Sequence, residues 1–218
     1  MDLCRIKSGC LPTINLFHYV AVDKCIHFRR TPDEYIAFFI VKGDMYLREE
    51  TIYHHLKEGD WILLTPGKEH EGYKISEHCT YFYIHFQIDG LTVEDISESS
   101  LRERLSRNKM DALQGRKCQE HMLFPKQFHA ESHMAYETIL QLLYRGDHYY
   151  NSYKEYADMQ TACLLLDLLV HLSHIFSSQF LTEGNEKIRR STFVVYELLR
   201  EINSNYKEKF SSYDIEKK

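Results

Sequence analysis

Three turn signals divide a run of short β-type segments between residues 34 and 88, and they constrain the fold more than any other feature. Lys42-Gly43-Asp44 and Glu58-Gly59-Asp60 each set a glycine beside an acid, and Thr65-Pro66-Gly67-Lys68 has the Pro-Gly centre of a type II turn. The first two read as tight hairpins. Around them lie INLFHYVAV (14–22), KCIHFRR (24–30) and EYIAFFIV (34–41), rich in β-branched and aromatic residues. In TYFYIHFQI (80–88) the alternation puts Phe82, Ile84, Phe86 and Ile88 on one face, and Tyr81, Tyr83, His85 and Gln87 on the other. The first face reads as core, the second as wet or lining a cavity. Many short antiparallel strands joined this way predict a sandwich or small barrel over residues 1–129. The polar stretch 89–119 reads as a long excursion with one short helix near Leu101 and Leu105. HMLFPKQF (121–128) reads as a returning strand, and residues 1–13 as a terminal arm.

Residues 130–185 change period. Tyr156, Met159, Cys163, Leu166 and Val170 step by 3, 4, 3 and 4, a heptad seam, and Leu165, Leu169, Leu172 and Phe176 form a second stripe. A preceding helix over 134–144 covers only one stripe, so the surplus predicts a twofold dimer through these nine residues. Gly184-Asn185 marks a break. Beyond it Val195, Leu198, Leu199, Ile202 and Tyr206 share a helical face, and Ser211 with Asp214 reads as the capped start of another helix. That helix has little chain left to pack on, so an excised piece is expected, with 186–218 as a linker and the truncated start of a further domain.

The net charge of −5 gives no whole-chain attraction to phosphate or an acidic membrane surface. The six cysteines form no C-x-x-C pair, which reads as reduced thiols and a cytoplasmic protein. The longest apolar run, 161–176, is interrupted by Asp167, His171 and His174, so neither export nor a membrane span is expected. No nucleophile motif or phosphate-cradling glycine loop is present.

The ordered series R-R-x-P-D-x-Y (29–35), Lys42-Gly43, E-G-D-W-I-L-L-T-P-G-K-E-H (58–70) and Y-F-Y-I-H-F (81–86) resembles the sensor domain of AraC-type transcription factors. Residues 194–215 are similar to the opening of that family's DNA-binding domain. The resemblance implies a mainly β fold with added α structure: a small double-stranded, jelly-roll-like cupin barrel followed by an antiparallel helical pair. It also implies a homodimer and a small polar effector, sugar-like or a small acid, with helix-turn-helix units in the full-length protein reading operator DNA. The short tail lacks both recognition helices, so this chain alone is not expected to bind operator. The resemblance places Tyr81 and Tyr83 in the lumen, where each offers a ring face and a hydroxyl. With them Arg30, His70 and His85 make up the candidate effector site; Arg30, on the second strand, suits a hydroxyl cluster or carboxylate.

The competing reading is a metal-dependent cupin enzyme. His70 fills one ligand position of such a site, with His85, His78, Glu49 and Glu50 as further candidates, but the adjacent His54 and His55 point to opposite faces of a strand. No metal, cofactor or catalytic residue is therefore assigned, and a non-enzymatic sensor is expected. A barrel without ligand that serves only to oligomerise is the other alternative.

Overall fold

The computed structural model describes residues 1–116, 120–182 and 195. Eleven strands and three helices are present among the described residues, in the order β1 (Asp2–Lys7), β2 (Thr13–Cys25), β3 (Tyr35–Lys42), β4 (Asp44–Glu49), β5 (Ile52–Lys57), β6 (Asp60–Leu64), β7 (His70–Gly72), β8 (Ser76–Gln87), β9 (Thr92–Asp95), α1 (Glu98–Leu113), β10 (His121–Pro125), β11 (Gln127–His129), α2 (His133–Tyr150) and α3 (Ala157–Thr182). The strands form a five-stranded antiparallel sheet, β11-β6-β3-β8-β2, a three-stranded sheet, β5-β4-β7, and a second three-stranded sheet, β10-β1-β9. The predicted double-stranded barrel followed by helices is what the chain forms.

Two of the turn signals act differently from the expectation. β3 and β4 lie in different sheets, as do β5 and β6, so Gly43 and Gly59 are corners between sheets and not hairpins. Gly43 has φ +80, and a Cβ there would stand 1.9 Å from the His78 carbonyl oxygen, so only glycine fits. The hairpin of the small sheet, β4 to β5, turns instead at Glu50, a non-glycine residue at φ 52. No composition signal marks that position.

β3 is the central strand, and its continuous apolar run is explained by burial on both faces. Ile36, Phe38 and Ile40 point toward the small sheet, where Met45, Leu47, Leu56, Ile62, Leu64 and Cys79 complete one core. Ala37 and Phe39 point the other way, with Phe17, Trp61, Phe82 and Phe86, all fully buried. This second core lies under the helices: Phe39 packs against Tyr136, and Phe82 meets Tyr144 edge-on at 5.0 Å. Gly146 of α2 sits on Phe17 so closely that a Cβ would fall 2.4 Å from the ring.

Several boundaries move. KCIHFRR is not a separate strand: β2 runs on to Cys25, Lys24 takes φ 48, and residues 26–34 leave the large sheet. Residues 2–7 of the expected arm are β1, paired with both β9 and β10. The returning strand is two short strands, β10 and β11, on either side of Lys126. The helix near Leu101 and Leu105 is 16 residues long.

The described chain divides into two compact units. The first holds residues 1–98 and 119–176. The second is formed by 99–118 and the chain from Ser177, and within it the Arg102 guanidinium lies 4.9 Å from the Phe180 ring centroid. Helix α2 is capped by Ser132, whose Oγ accepts from the Ala135 amide at 3.1 Å. Ala157–Leu181 is long and apolar enough to cross a membrane by length and composition only, a test that the core helix of a soluble protein also passes. The apolarity has a use within the fold, because Leu164, Leu165, Leu168, Leu169 and Leu172 are buried. The expected break at Gly184-Asn185 and the start of a further domain lie outside the described residues.

Candidate functional site

The inner face of the barrel is set by two rows of cross-strand partners. On the small sheet, Glu49 of β4 pairs with His70 of β7, and His70 pairs in turn with Arg30 through an isolated bridge. Antiparallel partners carry their side chains to the same face, so Arg30, His70 and Glu49 form one row beside Met45 and Leu47. Arg30 therefore belongs to the 26–34 segment and not to a regular strand as expected. That segment hydrogen-bonds along β7, with Gly72 N donating to His27 O at 2.8 Å and His70 N to Arg30 O at 2.9 Å. Gly72 is required by this approach, because a Cβ would stand 2.6 Å from the His27 nitrogen.

On the large sheet, Tyr81, Tyr83 and His85 face the same interior, opposite in β3 to Ile40, Phe38 and Ile36. The five residues singled out from sequence all reach this interior. A chain of rings joins the two rows: His70 stacks on His27 at 5.2 Å, His27 meets Phe38 edge-on at 5.7 Å, and Phe38 leads to Tyr81, Tyr83 and His85. His27, Phe38 and Glu34 were not selected from sequence. They lie in or beside a segment whose path is set by β7, and no local pattern signals it.

The polar groups differ in how well they are satisfied. His85 Nδ1 lies 2.6 Å from Glu34 Oε1, and Asn15 donates to Glu34 Oε2 at 2.5 Å. Asn15 sits at an irregularity in the β2–β8 register, which re-aims its side chain. Burial would raise the Glu34 carboxyl, but these two hydrogen bonds outweigh it and hold it below the usual range. Burial likewise lowers the His85 pKa, against the pull of Glu34.

A second buried pair stands behind His70. Glu49, 1% exposed, accepts from Lys126 Nζ at 2.5 Å and from the Thr65 amide at 3.1 Å and hydroxyl at 3.3 Å. Burial pushes the Glu49 carboxyl up, and Lys126 with Thr65 brings it below the ordinary value.

His70 is different. It is 1% exposed, and neither ring nitrogen has a hydrogen-bond partner among the described residues; the Lys68 main chain approaches without normal hydrogen-bond geometry. His27 Nε2 is likewise buried and without a partner among these residues. Burial, then the Arg30 charge, lowers His70 to about 4; burial, then His70 and Arg30, lowers His27 to about 4. Both rings are neutral at pH 7, each with one donor and one acceptor to offer. Tyr81, pushed up to about 12 chiefly by burial, keeps its hydroxyl proton.

Metal ligation fits these residues poorly. The His27 and His70 rings are inclined by only 23°, and near-parallel stacked rings do not direct their in-plane lone pairs at one ion. His54 is buried and His55 exposed on opposite faces of β5, and His78 is exposed beside Asp23. Among the described residues no group of three or more His, Cys, Asp or Glu is placed to hold a metal ion.

The helical residues separate by stripe. Leu165, Leu169, Leu172 and Phe176 are buried within the chain. Met159, Cys163 and Val170 are exposed on α3 and Leu166 is half-buried, whereas Tyr156, expected on the same helical seam, lies exposed in the turn before α3 at φ 64.

A two-sheet barrel with an aromatic interior places the chain among cupin-type domains. The family comparison points the same way: residues 24–123 match the family model described as AraC-like ligand binding domain. A segment of 61 residues is 33% identical to the uncharacterized HTH-type transcriptional regulator YisR of Bacillus subtilis (strain 168), covering 28% of this chain and 21% of that protein. The match thus spans about a fifth of the relative. Solved structures similar to this chain include an RmlC-like cupin with a double-stranded β-helix fold from Methanocaldococcus jannaschii, at 19% identity, 32% coverage of this chain and 66% of that one, with a TM-score of 0.29. Protein NMB1881 from Neisseria meningitidis matches at 20% identity over 35% of this chain and 82% of its own, with a TM-score of 0.30.

Proposed function

We propose that this chain is the sensor and dimerisation part of an AraC-type transcriptional regulator acting in the cytoplasm, and that a small polar effector binds between Arg30, His27 and His70 on one wall and Tyr81, Tyr83 and His85 on the other. The observation that carries the reading is His70: a buried neutral imidazole whose ring nitrogens have no side-chain partner among the described residues, facing an aromatic wall, is a hydrogen-bonding group suited to a ligand. The role is sensing and not catalysis, since the facing carboxylates are engaged as hydrogen-bond acceptors and the stacked histidines are turned away from a common ligand point. In a longer protein carrying DNA-binding units, an effector would act to the extent that it prefers one arrangement of the barrel and helices, a tenfold preference being worth about 1.4 kcal/mol. The exposed stripe of Met159, Cys163 and Val170, with Tyr156 exposed in the turn before it, supports a homodimer, with Leu165, Leu169, Leu172 and Phe176 supplying the core that holds the helix in place.

The test is a thermal-shift and calorimetric screen of sugars and small acids. Tyr81→Ala and Tyr83→Ala are expected to keep the fold and lose the hit; unchanged binding in both would remove the proposed wall. For the dimer, Val170→Glu is expected to sediment as a monomer while remaining folded. A Val170→Glu chain that still sediments as a dimer would remove this stripe from the interface.

A further inference from the structure

His70 is buried, so a molecule that reaches its ring must first displace whatever covers it. The cover is visible: the His27 ring lies on the His70 ring at 5.2 Å, inclined by 23°, and Phe28, 64% exposed, continues the stack at 5.1 Å. Covered group and cover belong to different segments. His70 opens β7, whereas His27 and Phe28 lie in the stretch between β2 and β3.

That stretch is held along one edge. Among the described residues, every main-chain hydrogen bond of residues 26–31 runs to β7: Gly72 N donates to His27 O at 2.8 Å, Arg30 N to His70 O at 3.0 Å and His70 N to Arg30 O at 2.9 Å. β3 and β8, which carry the opposite wall, are each paired along both edges. Outside the barrel the Arg29 guanidinium pairs with Glu69, and an exposed ion pair of this kind contributes little. Ile26 and Phe28 leave most of their apolar surface in water, so little hydrophobic burial opposes release of the segment. Its ends differ. Upstream stands Lys24, a non-glycine residue at φ 48, and downstream the Pro32 carbonyl is fixed by the Gly67 amide at 2.8 Å.

Resting on the sensor reading above, we infer that residues 26–31 form a strap that peels from β7 to admit the effector and closes with it. The strap carries His27 and Arg30, so its release uncovers His70 and takes two of the proposed binding groups away from the interior. Its return rebuilds the site around the bound molecule. The closed position depends on glycine at 72, where a Cβ would stand 2.6 Å from the His27 nitrogen.

The probe is diethylpyrocarbonate, which acylates neutral imidazole nitrogens that solvent reaches. It is applied to the full chain at pH 7, with each histidine followed by peptide mass spectrometry and the amides followed by hydrogen exchange. Exposed His133 sets the unhindered rate. His54, buried on β5 with β4 between it and β7, reports opening of the whole barrel. His70 is expected to label more slowly than His133 and faster than His54, in step with exchange of the Arg30 and Gly72 amides. Arg29→Ala should speed His70 labelling by about two- to fivefold. Gly72→Ala should speed it by roughly tenfold or more, and both variants should leave His54 at its wild-type rate. His70 labelling that only keeps pace with His54, rapid labelling of His70 while the Arg30 amide stays protected, or both variants labelling as wild type would each overturn the inference. None of these readings uses an effector, so the strap can fail while a sugar or acid still binds, and the sensor reading can fail its ligand screen while the strap opens as described.

Discussion

Acidification should destabilise this domain through His70 and His27 before its carboxylates titrate. Each folded imidazole has its pKa lowered from 6.5 to about 4, so between these values the unfolded chain holds more protons than the folded one, and stability falls as pH falls. For one such imidazole the loss between pH 7 and 4.5 is ~2 kcal/mol, from 1.36 kcal/mol per pH unit over the part of the window that is crossed. The two rings repel each other's protonation, so their losses are linked and do not simply add. Substituting His70→Phe keeps a ring stacked on His27 and removes the titration, and it also lets the His27 pKa rise, because the repulsion from His70 is gone. Urea unfolding at pH 7, 6, 5 and 4.5 measures the effect as the midpoint multiplied by the slope. Wild type should lose about 2 kcal/mol more than His70→Phe across that range, whatever the absolute stabilities at pH 7. Parallel loss in the two proteins would show that His70 is not held neutral by burial, and would refute the reasoning on which the site's hydrogen-bonding capacity rests.

Three further outcomes follow from the packing. Gly146→Ala should destabilise by about 1–3 kcal/mol in thermal unfolding, although the same change usually stabilises a helix, because the new methyl meets the fully buried Phe17 ring at 2.4 Å. Gly72→Ala should displace the 26–34 segment, since the conflict is with the His27 backbone and not with a movable side chain; hydrogen exchange at the Gly72 and Arg30 amides should accelerate well beyond that of β3. Lys126→Ala leaves Glu49 buried without its cation and should cost about 3–5 kcal/mol, whereas Glu49→Gln combined with Lys126→Met should cost much less in the same unfolding assay.

Part of this protein is determined by local chemistry. The alternation in 80–88 sets which side chains share a face, and Phe82 and Tyr83 take opposite sides of the large sheet as that pattern requires. The 3-4 spacing from Met159 onward likewise separates two helical stripes, while Tyr156, which continues the spacing, falls in the turn before the helix. Such periodicities depend only on backbone geometry, so they survive whatever the chain later packs against. Tertiary structure decided the rest. Which helical stripe is core was settled by where α3 lies on the barrel, so Leu169 became interior and Val170 surface. Gly43 and Gly59 became corners because β3 and β4, and β5 and β6, find partners in different sheets. His27 and Glu34 entered the site because β7 draws residues 26–34 across the barrel mouth, with Arg30 and His70 forty residues apart in the chain and paired in space. Such pairing is a long-range choice among competing partners, and no window of neighbouring residues contains the energy that decides it.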